Sequence, residues 1–450
     1  MFRLLLRSAI RGYRNGVAVK GSLSKFDVLG LGFMTFAFFL GAGNIIFPPL
    51  AGFLAGEHLT SAMLGFLLTA VGLPLFTLVA AALAGGGFTT MARYLPPFVV
   101  TLMATIIFII IGPAFATPRT GLVAYEMSFK PFLNDPSQLV LTLFTIGFFG
   151  VVLLLSLNQG NLLDAVGKIL TPILLLLLVG LALAVFILPQ GTQPTVDDAY
   201  LAQPFVTGFI DGYNTMDTFA ALMFGTLILD VLRQKGVSDI KVQSRYLTIA
   251  ALIAAAGLGF VYISLFILGG TSLGVVTSAS NGGEIISAYV LSLFGAPGLW
   301  ILAAIVSLAC LTTAVGLVSA CADYFQRLTA KGSYKAWVVI ISLLCMLVAN
   351  VGLDTLISVS VPVLVACYPV AVALVIATYL RPLMRRAQFT YRLSLTVAFV
   401  FGLLDAIQAA GLDMSALDFL PLFDINMAWV LPTVLVFMVG LGRPHAIAVR

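Results

Sequence analysis

Ionisable side chains are scarce in this chain. Charged residues make up 9% of the 450 residues and hydrophobic ones 61%, against roughly 25% charged in ordinary soluble domains. Length alone would allow two or three soluble domains, but no polar stretch is long enough to form one. Only two histidines occur, His58 and His445, both at the ends of apolar runs. A histidine-based zinc or acid–base site is therefore not expected. The four cysteines, Cys310, Cys321, Cys345 and Cys367, all lie in apolar runs. They read as small packed residues, and suggest neither a disulfide framework nor a metal cluster. The phosphate loop GxxxxGKS/T is missing, as are HExxH and GxSxG, which argues against an ATP-driven pump on this chain alone.

What the chain has is charge-free length. Residues 59–92, 94–118, 136–163, 169–196, 247–283, 285–322, 336–353 and 355–380 carry no Asp, Glu, Lys or Arg. Each holds at least one stretch of the about 20 apolar residues that cross a bilayer. An interrupted run at 28–56, another around 204–232, and two more near 393–410 and 425–442 bring the expectation to about twelve helices. The fold class expected is an all-α polytopic membrane protein. Charge placement agrees. With the N-terminus inside and twelve spans, every one of the 23 Lys and Arg except Arg119 and Lys130 falls on the cytoplasmic side, as the positive-inside rule requires. Outer segments are acidic, with Glu57, Asp135, Asp197, Asp198, Glu284, Asp413, Asp418 and Asp424. The net charge of +5 is thus a topology signal, and no nucleic-acid partner is expected. Residues 1–20 are Arg-rich and acid-free but lack the apolar core of a secretory signal. A cytoplasmic tail on anionic lipid is expected there.

Two of the long runs are broken. Residues 41–49 read Gly-Ala-Gly-Asn-Ile-Ile-Phe-Pro-Pro; the glycines weaken helix, and Pro48 and Pro49 remove two amide donors. Unwound backbone survives in a membrane only where protein or a watery cavity receives it, so this break is expected to touch a ligand. Residues 208–217, Gly-Phe-Ile-Asp-Gly-Tyr-Asn-Thr-Met-Asp, form the second break. Four intact spans are expected between them, which puts the breaks in spans one and six. An odd number of spans per unit inverts the second unit, and interruptions in corresponding positions point to an inverted-repeat transporter. The units expected are a basic tail at 1–24, five-span repeats at 25–190 and 203–380, and two peripheral spans within 389–442. Residues 269–297, with a second helix-like run starting at Glu284, are expected as an outer re-entrant or surface hairpin and candidate gate, or as a solvated loop.

The chemistry follows from the breaks. Residues 43–46 open a half-helix whose leading amides lack intrahelical partners and, with the helix dipole, favour a carboxylate. The preceding half-helix, 29–40, ends in free carbonyls suited to a cation. The alternative is a Gly-Pro kink that eases packing. Asp217, between Thr215 and Thr218, either holds a cation or the substrate ammonium, or caps the half-helix; Asp211 is expected nearer the outer vestibule. In span eight, Thr312 and Thr313 offer hydroxyls to a hard cation or simply bond the preceding turn. Arg119 is expected at the outer interface or paired with Glu126, with a gate role as the alternative.

At these residues the chain resembles the bacterial branched-chain amino acid:cation symporter family (LIVCS, BrnQ-like). The matching blocks are 31–37 leading into 41–49, 118–121, 208–217 and 310–316. The basic extension at 1–20 departs from the family's usual start close to the first span. The resemblance implies a LeuT-like core of two inverted five-helix repeats, with helices one and six broken, plus two peripheral helices. It implies import of leucine, isoleucine and valine driven by Na⁺ or H⁺. By motif position, Phe39, Gly41, Gly43 and Asn44 would meet the substrate carboxylate, with Tyr213, Asn214, Thr215 and Met216 facing it. Carbonyls of Ala37, Leu40 and Ala309, with the Thr312 and Thr313 hydroxyls, would form the Na⁺ site.

The reading of the whole is a secondary active transporter in the bacterial cytoplasmic (inner) membrane, with both termini cytoplasmic. No cofactor is expected beyond the coupling ion Na⁺ or H⁺. The partners are the small amino-acid substrate and membrane lipid. The alternatives are a LeuT-fold symporter for another neutral solute, a channel, or a membrane-embedded enzyme. A channel fits two broken spans less well, and the clustered acids, histidines or nucleophile of an enzyme are not evident.

Overall fold

The fold comes from a computed structural model that describes residues 23–133, 136–157, 171–329 and 332–441. The basic segment 1–20, Asp135, Lys168, Arg443, His445 and Arg450 lie outside the described residues. All regular structure among those described is helical, apart from one isolated bridge between Met384 and Leu441.

Span one is two helices, α1 (Lys25–Phe39) and α2 (Ala42–Ala55). At the start of α1 the Ser24 hydroxyl accepts the Asp27 amide at 3.1 Å while the Asp27 carboxylate accepts the Ser24 amide at 3.3 Å. This reciprocal cap satisfies two orphan donors. The helix stops where Leu40 leaves helical backbone (ψ 89°) and Gly41 becomes extended (φ −119°, ψ −168°). Asn44 then starts α2, its side-chain oxygen accepting the Gly41 amide at 3.2 Å. Pro48 and Pro49 sit inside α2 and leave the carbonyls of Asn44 and Ile45 without helical donors. At Gly56 the backbone turns (φ 49°, ψ −124°) into span two, α3 (Leu59–Leu67) and α4 (Leu73–Ala84), joined by a π-turn at Leu68–Gly72. Pro74 has no amide to give the preceding turn, and the wider π-turn absorbs the loss.

The spans between the breaks are not all intact. Span three is α5 (Pro97–Ile109), a π-turn at Ile110–Ala114 with Gly112 off helical backbone (φ −86°, ψ −117°), then α6 (Ala116–Ser128). Past the Gly112 break the Phe115 amide bonds the Ile110 carbonyl, and the Thr117 hydroxyl donates to the Ile111 carbonyl at 2.9 Å. α7 (Gln138–Ser156) and α8 (Thr171–Ile187) complete the first unit. Span six is α9 (Pro204–Asp211), a 3-10 turn at Gly212–Thr215, and α10 (Asp217–Gln234). Its two halves are bent by 44°.

α11 (Ile240–Gly270) is span seven, and α12 (Gly282–Thr329) follows. The segment expected as hairpin or loop is helical from Gly282 and bends at Gly295 (φ 62°, ψ −159°). Asn281 and Glu284 cap its start, the Asn281 oxygen accepting the Glu284 amide at 3.2 Å. α13 (Tyr334–Ala349), α14 (Leu353–Leu380), α15 (Ala387–Ala409) and α16 (Val430–Gly440) finish the chain. Seven described helical runs are long and apolar enough to cross a membrane, or eight with the bent pair taken as one span. Leu178–Ile187, Tyr334–Ala349 and Val430–Gly440 are apolar but shorter. Twelve exceeds this count because the run 42–84 counts once despite the Gly56 turn, and because the short helices fall below bilayer length.

Backbone meets backbone where the breaks are held. A Cβ on Gly52 of α2 would lie 2.1 Å from the Phe266 carbonyl of α11, and one on Gly269 of α11 would lie 1.9 Å from that of Pro49. Span six presses on span two in the same manner: a Cβ on Gly65 would sit 1.9 Å from the Phe205 carbonyl, and on Gly208 2.1 Å from that of Ala62. One against seven and six against two is the exchange expected of two five-span units related by a two-fold. Overpacking of this kind costs about 1–3 kcal/mol. Gly208→Ala is therefore expected to lower the thermal unfolding midpoint of detergent-purified protein. Gly147→Ala, with nothing within 4 Å, should leave it unchanged or slightly raised; equal midpoints for the two variants would contradict this packing.

Candidate functional site

The two breaks face each other across a buried cavity of about 30 Å³. From the first break Phe39, Gly41, Gly43 and Asn44 line it; from the second, Thr215, Met216 and Asp217; from span eight, Thr313. These are eight of the residues expected from sequence. Phe38, Ala42, Ile111, Ala116, Ala220 and Leu317 make the rest of the wall largely apolar, and Arg119 and Thr120 close it.

A ring of hydrogen bonds ties the breaks together. The Asn44 Nδ2 donates to Asp217 Oδ2 at 2.6 Å, and the Tyr262 hydroxyl donates to the same oxygen at 2.7 Å. Asn44 Nδ2 also donates to the Tyr262 hydroxyl. Asn44 thus caps α2 with its oxygen and reaches span six with its nitrogen. All three side chains are buried, where each lost partner leaves a group whose desolvation is not repaid. Between the helices of span six, Met216 holds left-handed backbone (φ 61°, ψ 12°), a conformation uncommon outside glycine. The turn before it is closed by Thr215, whose hydroxyl donates to the Gly212 carbonyl at 2.9 Å.

On the other side of the first break, the Thr313 hydroxyl donates to the Leu40 carbonyl at 3.0 Å. That bond brings two of the expected cation ligands together. Thr312 instead donates to the Ala309 carbonyl of its own preceding turn at 3.0 Å. Ala37, Leu40 and Ala309 are buried, and with Thr312 they stand outside the cavity wall. Tyr213 also stands back from it, stacked on Tyr368 with ring centroids 4.1 Å apart. Asn214 contributes its backbone carbonyl to Arg119. Asp211 accepts the Tyr200 hydroxyl, away from the cavity.

Arg119 is not where sequence reasoning put it. It is 2% exposed, so it does not lie at an interface. Glu126 pairs with Lys130 at 2.6 Å. The Arg119 Nη1 donates to the Asn214 carbonyl at 2.6 Å and Nη2 to the Ser360 hydroxyl at 2.9 Å, with the guanidinium 5.0 Å from the Phe47 ring centre. The break at Gly112 turns α6 inward and carries Arg119 with it. Tyr262 and Ser360 were missed altogether. Hydroxyls scattered along a long apolar helix give no periodic signal, and only the tertiary contact marks the one at the site.

Helices broken at mid-chain, meeting at a small buried polar site inside a membrane-spanning helical protein, define a transporter architecture. The closed form of Mhp1, a nucleobase-cation-symport-1 family transporter with bromovinylhydantoin bound, is similar with a TM-score of 0.57 at 16% identity, covering 92% of this chain and 91% of that one. MhsT in complex with L-phenylalanine is similar with a TM-score of 0.55 at 15% identity, covering 94% and 100%. The fold is LeuT-like.

The family profile described as "Branched-chain amino acid transport protein" matches residues 24–445. The chain is 46% identical over 432 residues to the branched-chain amino acid transport system 2 carrier protein of Pseudomonas aeruginosa, covering 94% of this chain and 98% of that protein. It is 41% identical to the branched-chain amino acid permease BrnQ of Escherichia coli strain K12 (92% and 95% covered) and 40% identical to the permease BraB of Bacillus subtilis (94% and 96%). The chain belongs to the branched-chain amino acid transport protein family. It is an integral membrane transport protein and not an enzyme.

The hydrogen-bonded ring makes a measurable demand. Tyr262→Phe deletes one donor to Asp217 and is expected to cost about 1–3 kcal/mol of stability. Combined with Asn44→Ala, the two losses should couple by more than about 0.5 kcal/mol in a double-mutant cycle. Strict additivity would mean the three side chains do not act as one network.

Proposed function

We propose that the protein imports branched-chain amino acids, leucine, isoleucine and valine, by symport with Na⁺ across the bacterial cytoplasmic membrane. Twelve spans with both termini inside form part of this reading. The observation that carries it is the meeting of both helix breaks at Asn44 and Asp217 beside a cavity that sets polar groups against an apolar wall. Family membership supports the substrate class.

The chemistry follows from the site. The opening amides of α2 offer partial positive charge to a substrate carboxylate. Asp217 lies across the cavity and accepts from an ammonium. The side chain lies against Phe39, Ile111, Ala220 and Leu317. A pocket of this kind separates neighbouring aliphatic side chains weakly, because a methylene is worth only about 1–3 kcal/mol. The three substrates should therefore compete. A cavity of 30 Å³ holds little more than water, so a leucine side chain enters only as the walls part. The Leu40 carbonyl and Thr313 hydroxyl offer hard oxygens to Na⁺ at the end of α1, where the dipole is negative. One charge moving through 100 mV supplies about 2.3 kcal/mol, roughly fifty-fold accumulation.

Motion is assigned to spans one, two, six and seven, which the glycine contacts and the Asn44–Asp217 contact knit together. They rock against spans three and eight, which hold Arg119 and Thr313.

Purified protein in proteoliposomes is expected to show leucine counterflow, inhibited by isoleucine and valine, and uptake that follows an imposed Na⁺ gradient. Absence of counterflow with all three amino acids defeats the substrate reading, and uptake driven by a pH gradient alone replaces Na⁺ with H⁺. Thr313→Ala should raise the Na⁺ concentration for half-maximal uptake severalfold, and Thr312→Ala should leave it unchanged. The reverse order would move the ion site along α12.

A further inference from the structure

Arg119 is a buried charge without a counter-ion. Its two terminal nitrogens donate to neutral oxygens, the Asn214 carbonyl and the Ser360 hydroxyl, and its Nε has no acceptor. The described ion pairs join Lys130 to Glu126, Arg233 to Asp230, Lys235 to Asp27 and Arg327 to Asp323. None includes Arg119. A desolvated guanidinium left in this condition is costly, and structural needs alone do not explain it, since a neutral amide would serve the Asn214 carbonyl as well.

Its position indicates what it faces. Arg119 lines the cavity shared by the breaks, and a Cβ on Gly43 would lie 3.5 Å from its Nη1. Gly43 is in the first turn of α2, so the guanidinium stands beside the orphan amides of that helix. Both are donors only, and both carry positive charge or its partial equivalent. Asp217 lines the same cavity, engaged by Asn44 and Tyr262 and not by Arg119. The site therefore presents a cationic donor and a carboxyl group that are not paired with each other.

We propose that Arg119 binds the α-carboxylate of the substrate directly and is the residue that restricts transport to carboxylate-bearing solutes. The assignment rests on the reading that a small amino acid occupies this cavity. The planar fork suits a carboxylate, and its anchor on Ser360 keeps it with α14 and span three. A carboxylate held between Arg119 and the α2 amides joins the scaffold to the moving spans. Substrate binding then adds a bond between the two parts through the substrate's own charge, a bond that an amine without a carboxylate does not supply.

The test is competition for labelled leucine counterflow in proteoliposomes of the full-length protein, using leucine and leucinamide, which keeps the amine and side chain but lacks the carboxylate. In the wild type, leucinamide should compete at least about tenfold more weakly than leucine. Arg119→Gln keeps a donor for the Asn214 carbonyl and removes the charge. It should weaken leucine by about tenfold to a hundredfold while leaving leucinamide within about twofold, so that the preference collapses. Arg119→Lys, which keeps the charge without the fork, should retain part of the preference. Equal weakening of both ligands in Arg119→Gln, or an unchanged preference, overturns the proposal in favour of a positioning role for Arg119. If that variant does not fold, a wild type that takes leucinamide as well as leucine overturns it unaided, and Arg119→Lys decides otherwise. A wild type that exchanges no branched-chain amino acid fails the function reading itself. The same preference is then measured with whichever other amino acid it exchanges and that amino acid's amide, and no exchange at all ends both.

Discussion

The contact between Asn44 and Asp217 is the constraint from which the rest of the site follows. A helix broken inside a membrane leaves amides and carbonyls that lipid cannot satisfy. Here one break answers the other. The Asn44 oxygen takes the amide of Gly41, its nitrogen reaches Asp217 at the head of α10, and Tyr262 closes the ring. A carboxylate and an amide that would each be expensive alone become mutual partners, and the two breaks are obliged to lie side by side. The cavity exists because they do.

Holding the breaks in register takes close backbone approach as well as polar contact. Glycines at 52, 65, 208 and 269 let α2 meet α11 and α9 meet α3 at the distance of a carbonyl. Spans one and seven are thereby packed as one pair and spans six and two as another, and the Asn44–Asp217 contact joins the pairs. Contacts of a different kind cross from these spans to their surroundings at the cavity: Thr313 to the Leu40 carbonyl and Arg119 to the Asn214 carbonyl. Each is a single hydrogen bond from a scaffold side chain to an end of unwound backbone. Such bonds exchange partners readily, whereas interlocked glycines do not. In the rocking motion proposed above, the division between the moving unit and its boundary lies in the type of contact each uses.

Much of this was legible in the residues. The breaks at 41–49 and 208–217 announced themselves through glycine, proline and aspartate in apolar runs, and their structural positions agree. The third break, at Gly112 and Pro113, falls within one of the four spans expected to be intact. That omission displaced Arg119. Sequence offered an arginine beside an outer acidic segment, for which an interface or a Glu126 partner was the natural reading. A half-turn of altered backbone at Gly112 put it in the interior instead. Thr312 and Thr313 looked equivalent as neighbours. They differ because successive helical residues point about a quarter-turn apart, so only one faces the end of α1.

By itself the sequence determined that this is a helical membrane protein with paired broken spans, since apolar run length, charge placement and the loss of amides at proline are local properties. Family resemblance lay there as well, in short contiguous blocks. Tertiary structure alone decided how the polar side chains at the cavity are paired. Asn44, Arg119 and Asp217 line it, Tyr262 and Ser360 bond to them, and the five come from five different spans, so that no one-dimensional spacing encodes their meeting. Their partnership is fixed by how the spans pack, and packing depends on the whole set of helix surfaces at once.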